Sequence, residues 1–153
     1  GNTFTALTAL LLDGISGGLA GAIGLALADI VAGDPGYAIT TFILKFIIGV
    51  VCGAVAHKVL HLKTRTPERT LNYIAAVTGA AFSGLLVNVF TDPLIGYFRN
   101  RFIFGQPAEI ASVVTKIASG VTLVNSLLST VCAVLLYLAL RPALEKAHLL
   151  PKE

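Results

Sequence analysis

The sequence contains few charged residues for its length. Asp, Glu, Lys and Arg make up 12% of its 153 residues, eleven of them basic and eight acidic, which is about half the share found in soluble domains. A soluble domain of this size needs a polar surface around its core, and so few charges do not supply one. The composition argues against a cytosolic enzyme and against a nucleic-acid-binding protein.

Methionine and tryptophan are absent, and there are only two cysteines. Because no initiator Met is present, we expect that further residues precede Gly1. Cys52 and Cys132 each lie inside a long apolar run, where a thiol behaves as a small hydrophobic side chain. No disulfide, metal site or cofactor is therefore expected.

The familiar catalytic motifs are also missing. The sequence contains no HExxH, GxSxG or CxxC motif and no GxxxxGK[ST] phosphate loop. We therefore expect that the chain is not an enzyme and does not hydrolyse a nucleotide unaided. Energy for any transport must come from an ion gradient or from a separate protein.

Long apolar segments dominate the sequence. Hydrophobic residues make up 56% of the chain, its mean hydropathy is +0.85, and the windows 14–28, 70–91 and 117–140 hold no charged residue. A bilayer crossing needs about 20 mostly apolar residues. We therefore predict an all-α integral membrane bundle that forms a single transmembrane domain over residues 1–153.

Turn signals divide the chain into five predicted helices. The sequence DGISGG predicts a break after the first helix, Pro35-Gly36 predicts a turn, and Asp92-Pro93 predicts a bend. The predicted segments are about 2–13, 17–31, 38–62, Pro67 to Tyr97, and 108–140 with an extension to Lys146.

The basic residues predict the orientation of the bundle. Lys and Arg cluster in the 58–69 connection and in the C-terminal tail, and such an excess marks the cytoplasmic side of a membrane protein. The opposite face is expected to lie outside, with Arg99 and Arg101 as the exceptions. Asn2 then also lies outside, and one further helix before it would give six spans, of which five are visible.

Several polar side chains stand in otherwise apolar helices, and each has two interpretations. Lys45 either contacts a ligand or extends its ammonium group to the membrane interface, and Asp29 is either a functional carboxylate or a helix-end hydrogen-bonding group. Asn88 and Asn125 either contact the edge of a heteroaromatic ring or join neighbouring helices. Tyr37 either covers a pocket or is an interfacial aromatic residue.

These polar residues share one expected location. The topology places the following in the outer half: Asn2, Asp29, Tyr37, Thr40, Thr41, Lys45, Asn88, Asp92, Glu109 and Lys116. Polar groups that converge from several helices in an apolar bundle are typical of a pocket for a small polar molecule. The inner half has few such groups, so the continuous polar path of a channel is not predicted.

Two stretches of the sequence resemble a known family. They are GNTFTALTALLLDGISGGLAGAIGLALADIVAGDPGYAITTFILKFIIGVVCG and the last helix, KIASGVTLVNSLLSTVCAVLLYLALRPALEK. Both are similar to the S components of energy-coupling factor (ECF) vitamin transporters, with the subgroup associated with hydroxymethylpyrimidine or vitamin B6 uptake as the closest. The 28–49 block is the most specific part of this resemblance.

The resemblance implies a fold, a function and partners. It implies a six-helix fold with both termini inside, in the plasma membrane of a prokaryote. An S component binds a vitamin on the outside and releases it inside, while a transmembrane coupling subunit and two ATPase subunits drive the cycle. A lipid bilayer is thus an implied partner, and nucleic acid is not.

The resemblance also implies a set of pocket residues. These are Asn2, Tyr37, Thr41, Lys45, Asn88 and Asn125. Lys45 would donate to a hydroxyl or ring oxygen, and the ring of Tyr37 would cover the ligand. Two other functions stay open: an autonomous ion-coupled carrier or channel that uses Asp29, Lys45 and Lys116 as a relay, and an assembly subunit without a ligand.

Overall fold

The computed structural model describes residues 1–62 and 71–149, and this part of the chain is helical without a β-strand. The helices are α1 (Asn2–Leu11), α2 (Gly14–Ala32), α3 (Pro35–Gly53), α4 (Leu71–Phe98) and α5 (Ala108–Lys146). Two π-helical segments, Ala54–Val59 and Arg99–Ile103, continue α3 and α4. The predicted all-α bundle is confirmed.

Four of these helical stretches are long and apolar enough to cross a membrane. They are Gly14–Ala32, Pro35–Val59, Leu71–Ile103 and Ala108–Lys146. Many of their apolar side chains point away from the bundle, including Val31 on α2 and Leu135 on α5. A helix with apolar side chains on all faces is suited to a lipid environment.

The break between α1 and α2 at DGISGG is shorter than the sequence predicts, because α2 begins at Gly14 rather than near Gly17. Asp13 is its N-cap residue, and the Asp13 side chain accepts a hydrogen bond from the Ser16 N–H at 2.6 Å. A capping carboxylate satisfies one of the free N–H groups at a helix start. The glycines that suggested a break therefore belong to the first turn of α2.

The predicted turn at Pro35-Gly36 is displaced by two residues. Gly33 ends α2 in the left-handed conformation, with φ of 92°, which glycine adopts without a steric penalty. Pro35 instead opens α3. The N–H that proline lacks would have no partner within the helix at this position, so no helical hydrogen bond is lost.

The helix α4 continues through Pro93 to Phe98, close to the end predicted at Tyr97. In the same way, α5 continues through Pro142 to Lys146. The predicted helix start at Pro67 and most of the 58–69 connection lie outside the described residues.

Close backbone contact holds α2 against α3. A methyl group on Gly49 would lie 2.2 Å from the Cα of Gly18, and one on Gly53 would lie 2.1 Å from the Cα of Gly14. Small residues at such crossings let helix backbones approach each other. The four-residue spacing of Gly49 and Gly53 therefore serves packing within the bundle.

The short helix α1 lies at the centre of the bundle and contacts each of the other four helices.

The two ends of the bundle differ in the residues that they bury. We call the region around Asn2, Lys45 and Asp92 the Lys45 half, and the region around Tyr137 and Arg141 the Arg141 half. The main apolar core lies in the Arg141 half, where Leu10, Val77 and Tyr137 are buried.

Candidate functional site

A polar cluster in the Lys45 half is built around the ammonium group of Lys45. Its Nζ donates a hydrogen bond to Oδ1 of Asn2, which is buried at the start of α1. The carboxylates of Asp29 on α2 and Asp92 on α4 lie near enough for their charges to act on Lys45. Polar side chains from four helices therefore lie in this part of the bundle.

Thr41 belongs to the same cluster. Its hydroxyl donates to Oδ2 of Asp29 at 2.5 Å. Thr41 precedes Lys45 by four residues on α3, so the two side chains lie on one face of that helix. Asp29 is thereby held between a hydroxyl donor and a nearby cation.

Asp92 connects this cluster to an open groove beside α5. The Thr122 hydroxyl donates to Oδ2 of Asp92 at 2.5 Å. The groove has a volume of about 590 Å³, which is within the range of small-molecule sites. It is lined by Asp92, Val114, Ile117, Ala118, Val121, Thr122 and Asn125. Such an apolar wall with a few polar groups can hold a ring and orient it.

Two buried polar atoms near this groove have no hydrogen-bond partner among the described residues. They are Oδ1 of Asn88 and Oγ of Ser126, and each residue is 1% exposed. Asn88 lies one helical turn from Asp92, and Ser126 lies one turn from Thr122. Because α4 and α5 are antiparallel, Asn88 and Ser126 are at the same depth. Buried polar atoms usually have a partner, so these two atoms are candidates for ligand contacts.

Tyr37 lies at the rim of the Lys45 half rather than in the cluster. The Arg99 guanidinium carbon is 4.4 Å from the centre of the Tyr37 ring, and the Phe104 ring centre is 5.2 Å away. Arg99 also donates to the Thr40 hydroxyl at 3.3 Å. Tyr37 precedes Lys45 by eight residues, or about 12 Å along α3.

The six predicted site residues thus occupy three places. Asn2, Thr41 and Lys45 meet in the cluster, and Asn88 lies one turn from Asp92. Asn125 lines the groove, is exposed, and its Oδ1 accepts a hydrogen bond from Ser129 at 3.1 Å. Tyr37 stands apart at the rim. Their roles as vitamin contacts remain predictions.

The sequence gives weaker signals for several polar residues of this region. Asp92 is predicted both in the polar outer half and in a helix bend, whereas Arg99 is only an exception to the charge pattern. Thr122 and Ser126 received no role, although each is a hydroxyl in an apolar stretch of α5. The four-residue spacing from Asn88 to Asp92 and from Thr122 to Ser126 is the signal that could have identified them.

The fold and the cluster define a class of protein. An apolar bundle with membrane-spanning helices and a polar cluster in one half is suited to bind a small polar molecule within the membrane. The family model for the ECF-type riboflavin transporter S component matches residues 1–142, and the chain belongs to this family. Searches of curated proteins and of solved structures find no significant match.

Membership of this family confirms the coarser predictions from the sequence. The protein is a multi-pass membrane protein of the prokaryotic plasma membrane and a substrate-binding subunit for vitamin uptake. It is a transporter component that works with ECF coupling and ATPase modules. The closer assignment to a hydroxymethylpyrimidine or pyridoxine subgroup is not confirmed.

Proposed function

We propose that this S component captures riboflavin from outside the cell in its Lys45 half and delivers it inside through the ECF coupling subunit and two ATPase subunits. The family match over residues 1–142 supports this ligand. A groove of about 590 Å³ also offers more room than a single pyridine or pyrimidine ring needs. Hydroxymethylpyrimidine and pyridoxine, suggested by the sequence resemblance, are the alternative ligands.

The polar cluster carries the proposal, because each of the three candidate ligands combines a nitrogen heteroaromatic ring with at least one hydroxyl group. The Lys45 ammonium would donate to a ligand oxygen while Asn2 holds it in place. The amides of Asn88 and Asn125 each offer two donors and one acceptor for a ring edge. Thr41 would position Asp29, and Tyr37 would contact the ligand as it enters from the rim.

The proposed orientation places the Lys45 half outside and the Arg141 half inside. Lys58, in the π-helical continuation of α3, and Lys146, at the end of α5, lie at the Arg141 end of the bundle. Positive residues favour the cytoplasmic side. A ligand would then enter from outside past Tyr37 and Arg99.

A binding panel tests this function directly. The purified protein is titrated in detergent with riboflavin, pyridoxine and hydroxymethylpyrimidine, and both heat and the thermal unfolding midpoint are measured. We expect riboflavin to bind tightest and to raise the midpoint, as a ligand specific for the folded state must. Tighter binding of either smaller vitamin would reassign the substrate, and no binding by any of the three would favour an assembly subunit.

The charges of Asp29, Lys45 and Asp92 favour a second candidate, an autonomous ion-coupled carrier or channel. Ionisable groups at membrane depth are often part of ion or proton pathways. In proteoliposomes that contain this protein alone, the main proposal predicts vitamin binding without accumulation. Accumulation driven by an ion gradient in the absence of any ATPase would support the carrier instead.

A further inference from the structure

The polar cluster holds more carboxylates than cations. Lys45 is the ammonium group at its centre, and Asp29 and Asp92 are the acidic groups that act on it. Counted by formal charges, these three side chains leave one negative charge in excess. In a site of low dielectric, such an excess discriminates between ligands of different charge.

The two carboxylates differ in their access to a ligand. Asp29 accepts a hydrogen bond from Thr41 within the cluster, whereas Asp92 lines the groove. Thr122 donates to Oδ2 of Asp92, and no described residue donates to its Oδ1. An N–H or O–H group of a ligand in the groove can therefore donate to Asp92.

The described cations of this half do not line the groove. Lys45, which donates a hydrogen bond to Asn2, is not among the lining residues. Arg99 follows Asp92 by seven residues, about 10 Å along the helix, and it contacts Thr40 and the Tyr37 ring. The described residues that line the groove are one carboxylate, two uncharged polar residues and four apolar residues, so none of them is a cation that could pair with a phosphate.

We propose that Asp92 is a specificity-determining residue that accepts a hydrogen bond from the vitamin and excludes the phosphate monoester of the same vitamin. This inference rests on the proposed function, because it concerns the charge of the ligand bound at that site. The carboxylate supplies an acceptor to a neutral ligand and repels a doubly charged phosphate.

The test compares riboflavin with riboflavin 5′-phosphate on the complete protein. Kd is measured by titration for the wild type and for Asp92→Asn, which keeps an acceptor for Thr122 and removes the charge. We expect the wild type to prefer riboflavin at least tenfold. The Asp92→Asn variant should reduce this ratio at least fivefold, and Asp92→Glu, which keeps the charge, should retain most of it.

Two further variants separate a local effect from a general one. Glu145→Gln removes a carboxylate from the Arg141 half, where the Glu145 side chain is 39% exposed, and should leave both Kd values unchanged. Asp29→Asn removes a charge from the cluster but not from the groove, so it should reduce the ratio of the two Kd values by no more than twofold, less than Asp92→Asn does. An equal change of the ratio in Asp29→Asn and Asp92→Asn would overturn the role given to Asp92.

The failure of this inference can be distinguished from the failure of the proposed function. If the wild type binds pyridoxine rather than riboflavin, the same measurement is made with pyridoxine and its 5′-phosphate. If none of the vitamins binds, the proposed function is wrong. If a vitamin binds and its phosphate ester binds equally well, the function stands and the role of Asp92 is wrong.

Discussion

The two halves of the bundle bury polar groups in different ways. In the Arg141 half, the guanidinium is 3% exposed and donates to the Tyr73 hydroxyl at 2.5 Å and the Tyr137 hydroxyl at 2.9 Å. It also pairs with Glu145 at 3.1 Å. In the Lys45 half, Asn88 and Ser126 retain buried polar atoms without a partner among the described residues.

This difference suggests how one bundle combines a rigid end with a binding end. A buried hydrogen bond to a charged group contributes about 1.5 to 3 kcal/mol, whereas a buried polar atom without a partner costs about 1 to 3 kcal/mol. The Arg141 half uses its polar groups to stabilise the packing of α4 against α5. The Lys45 half keeps buried polar groups without a partner among the described residues, and a ligand in the proposed site would supply those partners.

The largest expected effect is on stability and comes from the Arg141 half. Arg141→Gln removes a buried cation that joins two hydroxyls, so we expect a loss of about 2 to 3 kcal/mol and a lower unfolding midpoint in detergent. Vitamin affinity should stay within twofold. Glu145→Gln, which changes the 39% exposed partner of the ion pair, is the control and should cost less than about 1 kcal/mol. A large loss of affinity in Arg141→Gln would show that the two halves are coupled.

The next effect is on binding and comes from the Lys45 half. Lys45→Ala removes the cation at the centre of the cluster and should weaken vitamin binding at least tenfold, or about 1.4 kcal/mol. Lys146→Ala, which changes an exposed lysine at the end of α5 in the Arg141 half, is the matched control and should leave the affinity unchanged. The measurement is calorimetric titration in detergent, and an unchanged affinity in Lys45→Ala would remove this residue from the site.

A smaller effect tests whether the unpaired polar atoms serve binding at the expense of stability. Asn88→Leu replaces a buried amide with an apolar side chain of similar size, so the unfolding midpoint should stay level or rise. Vitamin affinity should fall about fivefold, or about 1 kcal/mol. Ser126→Ala should change both quantities in the same directions. A lower midpoint without any loss of affinity would mean that these atoms stabilise the fold instead.

Much of the fold could be predicted from the sequence because hydropathy alone determines where helices cross a membrane. The long windows without charge fell within α2, α4 and α5, apart from residue 70, which is not described. Helix ends were less accurate, because Asp13 and Pro35 act through local hydrogen bonding and backbone geometry. Glycine at position 14 and proline at position 35 both start helices here, although each residue type also breaks helices.

The candidate site could be predicted only in part. Lys45 and Asn2 were identifiable as polar residues at membrane depth, but they are 43 residues apart in the chain, and no pattern indicates their contact. The pairing of Asp92 with Thr122 likewise depends on the register of α4 against α5, which is set by packing. Tyr37 was expected either to cover the pocket or to be an interfacial aromatic residue, and its position beside Arg99 at the rim is compatible with both roles.

The smallest expected effect concerns this rim and decides which interpretation of Tyr37 holds. The Tyr37 ring lies under the Arg99 guanidinium, and such a contact at a partly exposed site contributes about 0.5 to 1 kcal/mol. If the ring covers a bound vitamin, Tyr37→Ala should raise the dissociation rate about threefold in stopped-flow measurements, whereas Tyr37→Phe, which keeps the ring, should not. Equal rates in all three proteins would make Tyr37 an interfacial aromatic residue, and the binding region would then be confined to the Lys45 cluster and the groove beside α5.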